Sequence, residues 1–396
     1  MWRPDILGDG FEQRDLELPG GHIATLVRYT KPHSPGGRNL TGDDSVVTSA
    51  ESVAIPNTSS QSGSAAETSD VAGTISAESV AIPNTSSHGD PAAETSDVAG
   101  VPGSATTGGT PESSFVKPTQ KPAVLYLHGF VDYFFAKHLA QAYAQREYPF
   151  YAVDLRGYGR SIGRGNDDPA PNYVPDIAIY AQDLNAARAA IQQDGHQDLV
   201  LIGHSTGGLI GPMWANANPG AVKAMILNSP WLDFNANWLM RGPVSQLVRL
   251  VGQITPRLTV GGLKAHYGQA IHAQTGGEWD YDLAWKPHAG FPVAASWFCS
   301  IRRAQAKVKR GLNIEAPILV MTCLSRGDNR HRHQDILATD SVLDPRQMWR
   351  IAPKLGINVE VHALAGGIHD LALSPEPVRS RYFSESLDWL DQVLEP

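Results

Sequence analysis

The sequence predicts an α/β fold: a mainly parallel sheet with helices on both faces. Three observations carry that prediction. Short apolar runs alternate with segments of helical spacing over most of the chain, which is the order that parallel strands with crossover helices require. One such run leads through a Gly-rich turn straight into a helical segment. Hydrophobic residues make up 42% of the 396, enough to build a large core.

Taken in order, Leu16 to Leu18 and His22 to Tyr29, joined by Pro19-Gly20-Gly21, read as an antiparallel hairpin that opens the sheet. Ala123 to Leu127 is a strand of the fully buried kind, and Phe134 to Arg146 is the helix after it. Pro149 to Val153 is the next strand, and Pro175 to Gln193 has apolar spacing near the helical period. Leu199 to Ile202 is a strand, Thr206 to Ala217 a helix and Ala224 to Leu227 a strand. Ile318 to Cys323, Pro345 to Leu355, Val359 to Ala363 and Val378 to Leu394 complete two more strand and helix units. In sheets of this kind chemistry sits beyond the carboxyl ends of the strands, here the loops after Leu127, Ile202, Cys323 and Ala363.

Residues 33 to 118 interrupt this pattern with Ser, Thr, Ala, Gly and Pro, and Phe115 is their only aromatic. Such a segment buries too little apolar surface to offset its ordering entropy and is expected to be a long disordered insertion. Ser49 to Gly73 recurs at Ser76 to Gly100 with 21 of 25 residues identical. Two copies without a periodic apolar face do not make a solenoid. The insertion holds ten acids and two bases, so the net charge of −8 lies within it and the rest balances at 30 against 30. No excess of cations is present to neutralise phosphates, which argues against nucleic acid. Cys299 and Cys323 are too few for a disulfide framework. The first residues lack the basic and apolar regions of a signal peptide, and no apolar stretch is long enough to span a bilayer. A cytoplasmic protein with no integral membrane segment is expected; the sequence leaves the oligomeric state open.

Gly203-His204-Ser205-Thr206-Gly207 fits G-x-S-x-G between a strand and a helix, the tight turn that exposes a serine hydroxyl. Ser205 is the expected nucleophile, and it needs a base. In the Gly-rich loop after the last strand stands His369, which follows the serine and a candidate acid in chain order. The loop after Cys323 offers Asp328, Asp335, Asp340 and Asp344; Asp340 is favoured as the acid, with Asp344 as the cap of the helix that follows. Backbone donors for a tetrahedral oxyanion are expected at Thr206 and Phe130. His204 and His128 are read as structural. His331 and His333 lack a third ligand at zinc-like spacing, and neither a metal nor a cofactor is expected. Gly157 to Ser161 lacks the spacing of a phosphate cradle.

LYLHGF, DLRGYGRS, GHSTGG, TDSVLDP and GGIHDL, in this order, resemble the α/β-hydrolase superfamily, in particular its lysophospholipase, monoacylglycerol-lipase and serine-aminopeptidase-like branch. The resemblance covers residues 1 to 30 and 119 to 396; the repeat-bearing insertion and the stretch from Ser325 to Thr339 depart from it. It implies Ser205, Asp340 and His369 as a triad, with Phe130 and Thr206 as oxyanion donors. It also implies a division into 1–32 (first strands of the core), 33–118 (insertion), 119–229 (core), 230–311 (an inserted helical cap) and 312–396 (core). Five tryptophans fall in the cap interval, and Trp231, Phe234 and Trp238 are expected to contact substrate. The function expected is a metal-independent serine hydrolase acting on a small or lipid-like carboxylic ester. An aminopeptidase that uses Glu278, Asp280 or Asp282 to hold an ammonium, and a non-catalytic binding protein, are the alternatives.

Overall fold

The computed structural model describes residues 1–8, 10–30, 79–81, 120–165, 170–234 and 254–395. Its strands are β1 (Arg3–Pro4), β2 (Phe11–Leu18), β3 (His22–Tyr29), β4 (Ser79–Ala81), β5 (Ala123–Leu127), β6 (Phe150–Asp154), β7 (Leu199–His204), β8 (Ala224–Asn228), β9 (Thr259–Gly261), β10 (Val293–Ala294), β11 (Ile318–Cys323) and β12 (Val359–Leu364). Its helices are α1 (Lys137–Gln145), α2 (Tyr180–Gln193), α3 (Gly207–Ala217), α4 (Ala265–Ile271), α5 (Ala295–Arg310), α6 (Pro345–Ile351) and α7 (Val378–Leu394). One sheet runs in the order β1-β2-β3-β6-β5-β7-β8-β11-β12-β4, and β9 with β10 forms a separate ribbon. From β6 to β12 every neighbouring pair is parallel. The first three strands meander antiparallel onto β6.

Continuous apolar strands follow from covering both faces of this sheet. Alternate side chains of each strand enter opposite cores. Leu125, Leu127, Leu201 and Val320 face Leu184 of α2, Leu209 of α3 and Ile301 of α5. Val124, Tyr126, Ile202 and Met321 face Leu139 of α1 and Leu390 of α7. Each large apolar side chain buried in this way contributes about 1.5–3 kcal/mol relative to exposure.

Several boundaries differ from those expected. The helix expected from Phe134 begins at Lys137; the Phe134 N–H, ahead of it, donates to Asp154 Oδ1 at 2.9 Å. The helix expected to reach Leu355 gives way after Ile351 to a 3-10 turn containing Pro353, which has no N–H to continue the ladder. Within the insertion, Ser79–Ala81 pairs antiparallel with His362 to Leu364 as an edge strand, where only disorder was expected. The rest of 33–118, with the first repeat copy, lies outside the described residues, as does Trp238.

The motif around Asp154 turns out to anchor the amino end. Arg160 donates to both oxygens of Asp5, at 2.7 and 2.8 Å, and to Asp154 Oδ2 and the Phe134 carbonyl. All three charged groups are buried. Burial works against the guanidinium charge, but Asp154 and Asp5 outweigh it and push the Arg160 pKa up.

Candidate active site

Ser205 lies between β7 and α3 with φ at 51°, a left-handed conformation that only a tightly built turn imposes on serine. The neighbouring glycines explain the build. A Cβ on Gly203 would meet the Gly207 carbonyl oxygen at 2.8 Å, and one on Gly207 would collide with the Leu127 carbonyl of β5. The Ser205 N–H donates to the Asn228 carbonyl, and its own carbonyl accepts from Trp231 N–H.

Beyond β12, Gly366 at φ 76° turns the chain so that His369 returns to the serine. Ser205 Oγ lies 3.0 Å from His369 Nε2, and His369 Nδ1 lies 3.0 Å from Asp340 Oδ2. A carboxylate only accepts, so Nδ1 carries the proton and Nε2 faces the hydroxyl as acceptor. Asp340 is fully buried, and its other oxygen accepts the N–H groups of Val342 and Leu343 at 2.9 and 2.8 Å. Asp344 sits elsewhere: it caps α6 by accepting from Arg346 N–H and pairs with Arg346 and Arg326. Asp328 instead accepts from Arg330 N–H and pairs with His331, and Asp335 lies in the 3-10 turn Gln334–Leu337. The His369 loop is itself pinned, because Asn228 Nδ2 donates to Asp370 Oδ1 and Asn228 Oδ1 accepts from Leu371 N–H.

Phe130 and Thr206 line the same cavity as Ser205 and His369, and a Cβ on Gly129 would stand 3.1 Å from Ser205 Cβ. His128 has a definite tautomer. Leu155 N–H donates to its Nε2 at 3.1 Å, so Nδ1 carries the proton and donates to the Gly129 carbonyl at 2.8 Å. Asp132 follows two residues after Phe130 and is paired with Lys286. Burial raises the Asp132 pKa, but the Lys286 ammonium pulls it below the usual carboxylate range. Burial pushes the His204 imidazole below its usual value, against the pull of Asp370.

Among the described residues, Asp132, His204 and Asp370 bring one ligand atom each within 4.8 Å of one another. They fit a cation poorly, since Lys286 already supplies a positive charge to Asp132 and would repel a metal ion. His331 is exposed and reaches Asp328, with the His333 ring 6.1 Å away.

The cavity over Ser205 has a volume of about 430 Å³. Trp231 and Phe234 line it, with Leu263, Ile271, Trp297, Phe298 and Leu343 adding apolar surface. Glu278, Asp280 and Asp282 do not line it; Glu278 pairs with Arg379 outside. Lys286 and Asn329 were missed by sequence reasoning, and Tyr267 stood out only as one of the aromatics of the cap interval. Tyr267 accepts from the Asp370 N–H and stands edge-on to the His369 ring, and Asn329 Oδ1 accepts from the Tyr267 N–H. Their only signal was membership of segments flanking the site.

Among curated proteins, epoxide hydrolase 4 of Mus musculus is 31% identical over 131 residues, 33% of this chain and 34% of the relative. A monoacylglycerol lipase of Mycolicibacterium smegmatis is 27% identical over 145 residues, 36% of this chain and 49% of the relative. The chain thus spans about a third to a half of the length of these relatives. The crystal structure of a monoacylglycerol lipase from Paleococcus ferrophilus superposes with a TM-score of 0.50 at 18% identity, covering 68% of this chain and 94% of that one. A soluble variant of monoglyceride lipase from Saccharomyces cerevisiae gives the same score and identity over 69% and 87%. Both establish the fold. No helix among the described residues is long and apolar enough to cross a membrane. A family model described as Serine aminopeptidase, S33 matches residues 118–376, well over half of the chain. The chain therefore belongs to that family of α/β-hydrolases.

Proposed function

We propose that this protein is a serine hydrolase that cleaves carboxylic esters of apolar acyl groups through an acyl-enzyme. The observation that carries the reading is the chain of contacts Ser205 Oγ to His369 to Asp340, 3.0 Å at each step, facing a mainly apolar cavity. In this reading His369 Nε2 takes the Ser205 proton as Oγ attacks the carbonyl carbon. The Phe130 and Thr206 N–H groups stabilise the oxyanion, and Asp340 stabilises the imidazolium. His369 then hands the proton to the leaving alcohol, and water activated by the same imidazole releases the acid. Trp231 and Phe234 are proposed to contact the acyl group.

Likeness to an epoxide hydrolase does not favour epoxide opening at this serine. Attack of Ser205 on an epoxide carbon would leave an alkyl ether, which water does not cleave, whereas an acyl ester turns over. The family description favours a second reading, an aminopeptidase. The acids inside the cavity, Asp132 and Asp370, are already engaged by Lys286 and Asn228, which supports the ester reading over an ammonium site.

Hydrolysis of a p-nitrophenyl ester series from two to sixteen carbons, by wild type and Ser205→Ala together, tests this. Turnover should fall by at least about 10³-fold in the variant with no change in Tm. Equal turnover by both would overturn the mechanism. Aminoacyl anilides cleaved faster than esters would move the assignment to the aminopeptidase. Failure of a fluorophosphonate to label Ser205, with every substrate untouched, would leave a non-catalytic binding protein.

A further inference from the structure

The loop carrying Phe130 contains an unusual backbone. Val131 has φ at 52°, an outlier for a β-branched side chain. It is buried, so solvent does not stabilise it there. The contact that holds it comes from far along the chain: Val131 N–H donates to Asn172 Oδ1 at 2.8 Å. Asn172 is also buried and stands at φ 61°, a conformation asparagine tolerates better than most residues. Its Nδ2 donates to the Gly157 carbonyl at 3.2 Å, and its own N–H donates to the same oxygen at 2.8 Å. Both polar atoms of the amide are therefore used, and its orientation is fixed from the loop after β6.

The geometry around Phe130 gives this clamp a purpose. In a trans peptide the N–H points opposite to the C=O. His128 Nδ1–H holds the Gly129 carbonyl, so the Phe130 N–H of the same peptide points the other way. That sets one of the two peptides meeting at the Phe130 Cα. The second is the Phe130–Val131 peptide, whose N–H Asn172 holds. With both held, φ and ψ of Phe130 are determined; with Asn172 removed, Val131 can relax to negative φ and carry the second peptide with it.

We propose that Asn172 is a positioning residue of the oxyanion loop: His128 orients the peptide that carries the Phe130 N–H, and Asn172, by holding Val131 in its left-handed conformation, fixes the next peptide so that the loop keeps that N–H aimed at the developing oxyanion. The inference rests on the serine hydrolase reading above. Among the described residues, the Asn172 side chain bonds to Val131 and Gly157 and not to Ser205, His369 or Asp340, so its effect is transmitted through the loop.

The test uses the full chain carrying Asn172→Leu, with Asn172→Ser as a smaller parallel change should the first fold poorly. The expected result is a loss of kcat of about ten- to a hundredfold, less than complete removal of an oxyanion donor, with KM little changed. An acyl trifluoromethyl ketone, whose adduct with Ser205 places an oxyanion in the hole, should weaken by the same factor. A ketone-free ether of the same chain should bind as before. Val131→Gly added to Asn172→Leu should recover part of kcat, because glycine adopts φ near 52° without the clamp. Wild-type kcat in folded Asn172 variants would overturn the proposal. So would equal weakening of both ligands, or no recovery by Val131→Gly, either of which would leave Asn172 with a packing role alone. Failure of the underlying reading looks different: Ser205→Ala would then keep its turnover whatever residue 172 is.

Discussion

Asp340 and Asp344 lie four positions apart in one loop and carry out different tasks. Asp340 gives one oxygen to His369 and the other to two backbone N–H groups, so both oxygens are held. Asp344 caps the start of α6, and Arg346 and Arg326 hold its carboxyl below the usual range against the effect of burial. Asp340→Ala is expected to reduce ester turnover by at least about 10³-fold. Asp344→Ala should leave turnover within the wild-type range and cost about 1 kcal/mol of unfolding free energy, read by urea titration. The reverse pattern would exchange the two assignments. The order of serine, acid and histidine could be read from the chain because each follows an apolar strand. Asn172 and Lys286 could not, because a polar residue in a loop gives no local sign of a partner more than forty positions away.

At the scale of elements, the parallel strands were legible and the β9–β10 ribbon was not. Burial on both faces writes a strand as an unbroken apolar run, as in Ala123–Leu127, whereas two or three half-exposed residues leave no pattern. The long loop from Ser325 to Thr339, which departs from the family pattern, has a structural task. Asn329 Oδ1 accepts the Tyr267 N–H at 2.7 Å, and its Nδ2 donates to the Lys264 carbonyl at 3.0 Å, tying the loop to the start of α4. Tyr267 in turn stands against His369. Asn329→Ala should speed hydrogen exchange of the Tyr267 amide by about two- to tenfold, the range of one hydrogen bond. Unaltered exchange would mean that α4 is held by its apolar contacts alone.

The whole molecule should be acid-sensitive before its carboxylates titrate. Burial lowers the pKa of His204 and His138, the latter stacked on Trp279 with Nε2 donating to the Ala372 carbonyl. As pH falls through the ordinary imidazole value of about 6.5, the unfolded chain binds these protons first. Stability is therefore complete above that value and declines below it, until the lowered native values are passed. Tm should fall between pH 7 and pH 5, and His138→Gln, which keeps a donor for Ala372, should flatten the slope. An identical slope would mean that His138 contributes nothing to the acid response. A second loss follows at lower pH, where carboxylates such as Asp15, held near pKa 2 by Arg164 and Arg3 against desolvation, take up their protons.

The salt bridge between Arg160 and Asp5 makes the amino end something other than an appendage. Met1 is fully exposed, so a tag joined there hangs in water, but by Asp5 the chain has already entered the interior. Proteolytic trimming beyond that point would leave a buried guanidinium with Asp154 as its one remaining counter-charge among the described residues. The same guanidinium holds the Phe134 carbonyl and lies over the Tyr133 ring, a few residues from Phe130. Loss of the first residues would thus be felt beside Phe130, and a preparation so trimmed would resemble one with a faulty candidate site.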